Sequence, residues 1–406
     1  MRRLSSAQQI CRLRIVKRRL ARRLLRRGHP VGSLCVAGRH RVDVVAFNSA
    51  LAGTPRGQLE QSSFVDRQGR TWNCLSLVAP ADFRFSHNPD EVLRFVHELR
   101  RQVFVNGRFQ SRGSRQKPSL YVELDQILQI DIEGALILAA EFDRVRRVLG
   151  VRAWLDDGRW NPDVRAVLHG LGLHQIIEAK RIVESVPIAD FIEPAERAGI
   201  AVIPFASGTR ADPKAAQKLR LALAEHCGDP QDQAGMKVYE VLIEAFNNAV
   251  AHAYLDRHSG DGLPRVRRWW AGALVSKKDG YLYLVVYDQG VGIPTTLKRR
   301  GIVEAMVGKK RERNDADVIA GALEYGRSGV SKDAVFGDEA DGRGNGLARM
   351  CELADNFPEA DVRFTSILGD VLFVKGGLVE RSNLKTRFGG TMVRWRAKIS
   401  AHSEQD

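Results

Sequence analysis

"VYEVLIEAFNNAVAHAYLD", residues 238–256, is the stretch on which the reading of this chain turns. At 3.6 residues per turn Glu244, Asn248 and His252 stack along one helix face, with Glu240 a turn earlier. Val238, Leu242, Ala245, Phe246, Ala249 and Ala253 form a second, apolar stripe of the kind that packs against a sheet. A polar line beside a core stripe is either a solvated face or one wall of a polar site. The stretch alone leaves both open.

The surroundings place it. Two helices, about 212–226 and 234–256, precede the strands "WWAGALVS" (269–276) and "YLYLVVYD" (281–288). A long Gly-rich, charged region follows, then the helix "NGLARMCELADNF" and the strands "DVRFTSI", "VLFVK" and "GTMVRWRAKI". Helices on one side of a mainly antiparallel sheet make an α+β sandwich. Upstream, residues 36–80 read as short strands with turns at "GTPRG" and "RQGR". "SHNPDEVLRFVHELRRQVF" reads as a helix opened by Asn-Pro. Strand "SLYVELDQI", helix "IEGALILAAEFDRVRRVLG", strand "VRAWLDD" and helix "NPDVRAVLHGLG" then alternate, which implies an α/β layer. A Pro-containing stretch near 187–194 separates this layer from a second unit beginning at "GIAVIPFAS".

The 406 residues suffice for two or three domains, and a hydrophobic fraction of 44% is that of an ordinary globular protein. Apolar runs such as "YLYLVVY" and "LILAA" are too short to span a bilayer, so a cytoplasmic location is expected. Five scattered cysteines without C-x-x-C pairing suggest neither a disulfide framework nor a zinc site. Eleven of the +15 net charges sit in residues 1–30, which hold eleven Arg or Lys and no acid. Ile10, Leu13, Lys17, Leu20 and Leu24 recur there at helical spacing, so the segment reads as a basic amphipathic helix. Its chemistry suits a polyanion, either nucleic acid or an anionic membrane.

Three further motifs fall in register with the opening helix. "VVYDQGVGIP" ends a strand with Asp288, then Gly290 and Gly292. "DGRGNGLARM" presents Gly342, Gly344 and Gly346 at the mouth of a helix, and "FGGTMVRW" puts Thr391 where a last strand begins. Each has a task if the ligand is ATP with Mg2+. An ionised Asp only accepts hydrogen bonds, so Asp288 suits the adenine amino group. Glycines let backbone approach the ring, and alternating glycines before a helix expose N–H groups to phosphates. Asn248 offers an amide oxygen to a hard cation that keeps several waters.

In this order the motifs resemble the GHKL superfamily of ATP-binding proteins, the Bergerat fold, over roughly residues 200–400. "EAFNNAVAH" is similar to its N box, "DQGVGI" and "GRGNGL" to its glycine boxes, and "GGT" to its terminal Gly-Thr. The resemblance implies that Asn248 ligates magnesium and that Asp288 and Thr391 contact adenine. It implies that Gly290 and Gly292 shape the pocket and that residues about 294–346 form an ATP lid. Glu244, four residues before Asn248, stands where hydrolysing members and anti-sigma serine kinases place a general base. Arg343 lies within reach of a phosphate or is a solvated lid charge. His252 reads more readily as packing than as chemistry, and Ser328 and Ser331 are minor lid candidates.

Residues 119–178 resemble a STAS domain, the fold of anti-sigma factor antagonists. The turn that carries the family's phosphorylated serine reads Asp131, Ile132, Glu133 and Gly134 here, so Glu133 stands in the acceptor position as a permanently charged acid. The fold class expected is therefore α/β and α+β: a STAS-like α/β domain followed by a Bergerat-fold α/β sandwich. The layout is a basic segment at 1–30, a STAS-like domain with N-terminal extension at 31–194, the ATP-binding domain at 195–400 and a tail at 401–406.

The function expected is that of an ATP- and Mg2+-binding bacterial regulator with slow ATP hydrolysis or protein-serine kinase activity. A STAS-like domain would bind the protein partner, and a homodimer is a further expectation. The alternatives are a non-catalytic nucleotide-sensing switch and a nucleic-acid-associated GHKL ATPase gripping phosphates through residues 1–30. "VHELRRQ" at 96–102 also raises His97 as a phosphoacceptor, against a plain helix histidine.

Overall fold

The computed structural model describes residues 34–37, 40–65, 71–108, 120–150, 154–155, 157–178, 180–181, 199–227, 233–254, 262–299, 314–327, 346–357 and 359–399. The basic segment 1–30, the turn "RQGR", Ser328, Ser331, Gly342, Arg343, Gly344 and the tail 401–406 lie outside the described residues.

Helices and strands are mixed throughout. The first unit opens with β1 (Leu34–Ala37), β2 (His40–Asp43) and α1 (Val44–Ala50). β3 (Leu59–Val65), β4 (Thr71–Val78), β5 (Asp82–Phe83) and α2 (Pro89–Arg100) follow. Then come β6 (Leu120–Glu123), β7 (Gln129–Ile130), α3 (Ile132–Leu149) and β8 (Trp154–Leu155). α4 (Pro162–Gly170), α5 (Leu173–Ile176) and β9 (Lys180–Arg181) close it. The pairs β4–β6, β5–β7 and β8–β9 are parallel, and each is joined by a crossover that contains a helix. The single strand expected at 119–127 stops at Glu123, and pairing resumes only at β7. Asp131 caps α3 by accepting from the Gly134 N–H at 2.7 Å and also holds the N–H groups of Phe85 and Ser86. α1 was not expected; Asp43 caps it by accepting from Ala46 at 3.0 Å.

The second unit contains β10 (Ile200–Gly208), α6 (Pro213–Cys227), α7 (Gln233–His252), β11 (Trp269–Ser276) and β12 (Tyr281–Asp288). α8 (Ile293–Arg299), α9 (Asp315–Arg327) and α10 (Gly346–Asn356) precede β13 (Asp361–Ser366), β14 (Gly369–Val374), β15 (Gly377–Asn383) and β16 (Thr391–Lys398). Seven strands form one sheet in the order β10-β11-β12-β16-β13-β14-β15, and every pairing is antiparallel. α8 and α9 occupy the region read from sequence as an irregular lid, and β15 was not anticipated.

The helices of this unit pack on one side of the sheet, and the first unit covers the other face. Strand side chains alternate between the faces. Trp269, Ala271, Leu284, Val286, Val393 and Trp395 pack with α6, α7, α9 and α10. Trp270, Val285, Tyr287 and Met392 join a second core with Leu136, Ile137 and Ala140 of α3 and with the apolar face of α2. Strands buried on both faces read as continuous apolar runs, which is why "YLYLVVYD" does not alternate. The first unit thus shares its core with the back of the sheet. Trp270 adds a polar tie, donating from its indole N–H to Asp143 of α3 at 3.2 Å.

Candidate functional site

α7 orients the site. Its expected core stripe is buried throughout, from Val238 to Ala253, with Leu242 and Phe246 fully so. Phe246 stacks on Trp269 at 3.8 Å between ring centroids, which fixes the rotation of the helix on the sheet. That rotation turns Glu244 and Asn248 toward α10. Glu240 instead pairs with Lys237, whose ammonium also reaches Glu352 of α10 at 2.8 Å.

Gly346, the first residue of α10, sits directly over the polar pair. A Cβ there would lie 2.2 Å from Glu244 Oε1 and 2.9 Å from Asn248 Nδ2, so a side chain at this position would displace the ends of both. Asn248 Nδ2 is buried and has no hydrogen-bond partner among the described residues. A buried amide without a partner is costly, and an Asn side chain can present either its oxygen or its nitrogen to such a place. Arg349, also on α10, approaches Glu244 Oε2 at 3.9 Å. His252 is half-buried, and its backbone carbonyl lies 3.5 Å from Thr296 Oγ1.

The other end of α7 meets the loop after β12. Val291 N–H donates to the Ala253 carbonyl at 2.8 Å, and a Cβ on Gly290 would fall 2.4 Å from that same oxygen. Ala253 is five residues beyond Asn248, about 7 Å along the helix axis. Asp288 closes β12 and is register partner to Thr391, the first residue of β16. Its Oδ1 accepts from Gly290 N–H at 2.8 Å. Burial pushes the Asp288 carboxyl up to about 7, against the backbone N–H groups of Gly290 and Thr391 and the charge of Arg265. Gly292 adopts φ +85° and lies against Ser366 and Ile367.

Ser366 of β13 was missed by sequence reasoning. Its hydroxyl donates to the Gly390 carbonyl at 2.9 Å, accepts from Ile293 N–H at 3.0 Å and stands 3.1 Å from Thr391 Oγ1. It ties the loop after β12 to the start of β16. Its signal was only its place in a strand, since β13 was read without a register against β16. Gly342, Arg343 and Gly344 lie outside the described residues, so of the second glycine motif Gly346 alone has a described position.

The residues suit ATP with Mg2+. The orphaned amide of Asn248, the glycine that clears space beside it and a buried Asp at the far end of the same helix are the features such a ligand needs. No group of three or more His, Cys, Asp or Glu side chains that could hold a metal occurs among the described residues. A magnesium ion here would take one amide oxygen from the protein and complete its shell with water and phosphate, its usual habit.

Two residues of the first unit singled out in the sequence are buried. Glu133 is buried, 3% exposed, and its carboxylate lies 3.5 Å from Arg394 Nε of β16. Burial and the nearby charge of Asp131 push its carboxyl well above the ordinary range, with Arg394 opposing. His97 is 4% exposed, with Nε2 2.7 Å from the Arg387 carbonyl. Burial and the charge of Arg100 hold its ring neutral, with its pKa down at about 3. It is a packing histidine.

No described helix is long and apolar enough to cross a membrane. No protein-family model, curated protein or solved structure matches the chain.

Proposed function

We propose that residues 195–400 are a GHKL-type, Bergerat-fold domain that binds ATP with Mg2+. The observation that carries this reading is the buried, unpartnered Nδ2 of Asn248 beside Glu244, both under the glycine that opens α10. Bound ATP would supply a transferable phosphoryl group. The chain's own residues then divide the work. Asp288, once ionised, accepts a hydrogen bond from a base amino group, and Thr391 faces it across the register. Asn248 turns its amide oxygen to the cation. Glu244 takes the proton of a water or of a serine hydroxyl, giving slow hydrolysis or protein-serine phosphorylation. Gly346 starts α10, whose N–H groups suit a phosphate.

The STAS-like first unit is the partner-binding element of this reading, and the protein a nucleotide-dependent regulator. Arg349 favours a second reading. If Glu244 serves to tether α10 through that guanidinium, the domain senses nucleotide without turning it over. ATP binding and turnover with magnesium in wild type, Glu244→Ala and Asn248→Ala separate the two. Turnover lost in Glu244→Ala with binding kept, and weaker binding in Asn248→Ala, support the enzyme. Binding without turnover in wild type supports the switch, and a wild type that binds no ATP rejects both.

A further inference from the structure

The loop after β12 and the run into β16 are both held from behind by the first unit, and the hold is polar. Glu141 of α3 is fully buried. Its carboxylate accepts from Arg100 Nη2 at 2.5 Å and Nε at 3.2 Å, from Arg144 Nη2 at 3.0 Å, and from Gln289 Nε2 at 2.7 Å. Gln289 is the residue after Asp288 and is 2% exposed. Its backbone N–H is fixed as well, donating to Tyr254 Oη at 3.1 Å. The peptide carrying Asp288 is thus held on one side by the helix-end Tyr254 and on the other by a carboxylate 148 residues away in sequence.

The opposite segment packs against Arg100 and is hydrogen-bonded by the residues around it. Arg100 lies so close to Gly389 that a Cβ there would stand 2.8 Å from Nη1. Tyr287 Oη donates to the Gly389 carbonyl at 2.9 Å, His97 meets the Arg387 carbonyl, and Asp90 accepts from Thr386 N–H at 3.1 Å. Gly389 is two residues before Thr391. The two strand ends that bring Asp288 and Thr391 together therefore both meet this buried ion pair, one through the Gln289 hydrogen bond and the other through close packing of Gly389 on Arg100.

We propose that Glu141 and Arg100 are positioning residues for base recognition, acting through Gln289 and Gly389 on Asp288 and Thr391. The inference rests on the nucleotide reading given above. Arg100 and Arg144 already neutralise Glu141, so the fourth hydrogen bond to Gln289 is not needed to satisfy charge. Its effect is directional: it fixes the peptide from which the Asp288 carboxylate projects, and a carboxylate held in one direction discriminates an amino group from a carbonyl better than a free one. The first unit is then part of the nucleotide site.

The test compares ATP and GTP affinity by titration calorimetry in the full chain for wild type, Gln289→Met, Glu141→Gln and Asp288→Asn, with thermal unfolding of each. Gln289→Met keeps length and apolar bulk while removing the bond. A positioning role predicts that Gln289→Met and Glu141→Gln weaken ATP binding at least fivefold, leave GTP binding within twofold, and so narrow the preference. Their double variant should do no worse than the weaker single. Wild-type preference in Gln289→Met, or equal loss for both nucleotides alongside a fall in Tm, overturns the proposal while leaving the site intact. A wild type that binds neither nucleotide, or an Asp288→Asn variant that binds like wild type, rejects the nucleotide reading itself. Hydrogen exchange on the wild type needs no variant: ATP should slow exchange in peptides covering 97–102 and 139–144, and unchanged rates there count against the coupling.

Discussion

Gly390 and Asp288 touch backbone to backbone: a Cβ on Gly390 would fall 1.8 Å from the Asp288 carbonyl oxygen. Gly390 also holds φ +115°, a conformation that L side chains rarely adopt. The closeness lets Thr391 begin β16 opposite Asp288. Gly390→Ala is expected to cost about 3 kcal/mol or more through clash and strain together. Urea unfolding measures it, and a loss under about 0.5 kcal/mol would contradict the described contact.

On the proposed nucleotide reading, Asp288 links ATP binding to pH. Its carboxyl titrates near 7 in the folded chain against a reference value of 3.8. The folded state therefore holds the proton that the unfolded state releases, and the stability of the ligand-free protein should fall as pH rises from about 4 to about 7. ATP needs the ionised form, so its affinity should weaken about tenfold per unit as pH drops below 7. Calorimetry at pH 6 and pH 8 should also show proton release on binding at the lower pH.

Asp288→Asn separates stability from binding. Without a carboxyl to ionise in a buried place, the variant should be more stable at pH 8 by about 2–4 kcal/mol and lose the slope between pH 4 and 7. It should also lose preference for ATP. A variant less stable than wild type at pH 8 would mean that the carboxylate is better solvated than its burial implies.

His97 acts in the opposite direction. Its pKa falls from 6.5 to about 3 on folding, so the unfolded chain takes up a proton that the folded chain refuses. Stability should drop as pH falls through 6.5 toward 3, by about 2 kcal/mol at pH 5 from this group alone. His97→Gln, able to donate to the Arg387 carbonyl, should flatten that acid limb in a urea midpoint series. Incubation with labelled ATP should leave no acid-labile label on the wild type.

Glu133→Gln is expected to change stability by less than about 1 kcal/mol, because an amide mimics a carboxyl that burial keeps toward its neutral form. A chemical-denaturation loss of several kcal/mol would show instead that the charged pair with Arg394 is what the fold uses.

The residues of α7 were legible because helical periodicity separates Val238, Leu242 and Phe246 from Glu244 and Asn248 without help from the rest of the chain. The strands from "WWAGALVS" onward, β15 excepted, were legible as short apolar runs rich in β-branched and aromatic residues. What lay beyond reading was contact across long separations. Ser366 matters only because β13 pairs with β16, and Gln289 only because Glu141 comes to it from the first unit. Neither residue carries a local mark. α8 and α9 were overlooked because their flanking sequence is charged and Gly-rich, and that composition outweighed the short apolar period of "DVIAGALEY". The burial of Glu133 lay beyond a reading of its turn alone, because Arg394 of β16 comes to it from far along the chain.

The two-sided sheet bears on inheritance. Trp270, Val285, Tyr287 and Met392 meet the first unit's core through their side of the sheet. A second unit cut free at residue 195 would carry that aromatic face into water as a sticky plate. Such a domain cannot be shuffled between genes as an independent cassette unless its new neighbour brings a matching apolar helix or the face is rewritten as polar. The two halves of this chain are therefore constrained to change together, and substitutions at Trp270 or Tyr287 should be tolerated only alongside compensating ones in α3.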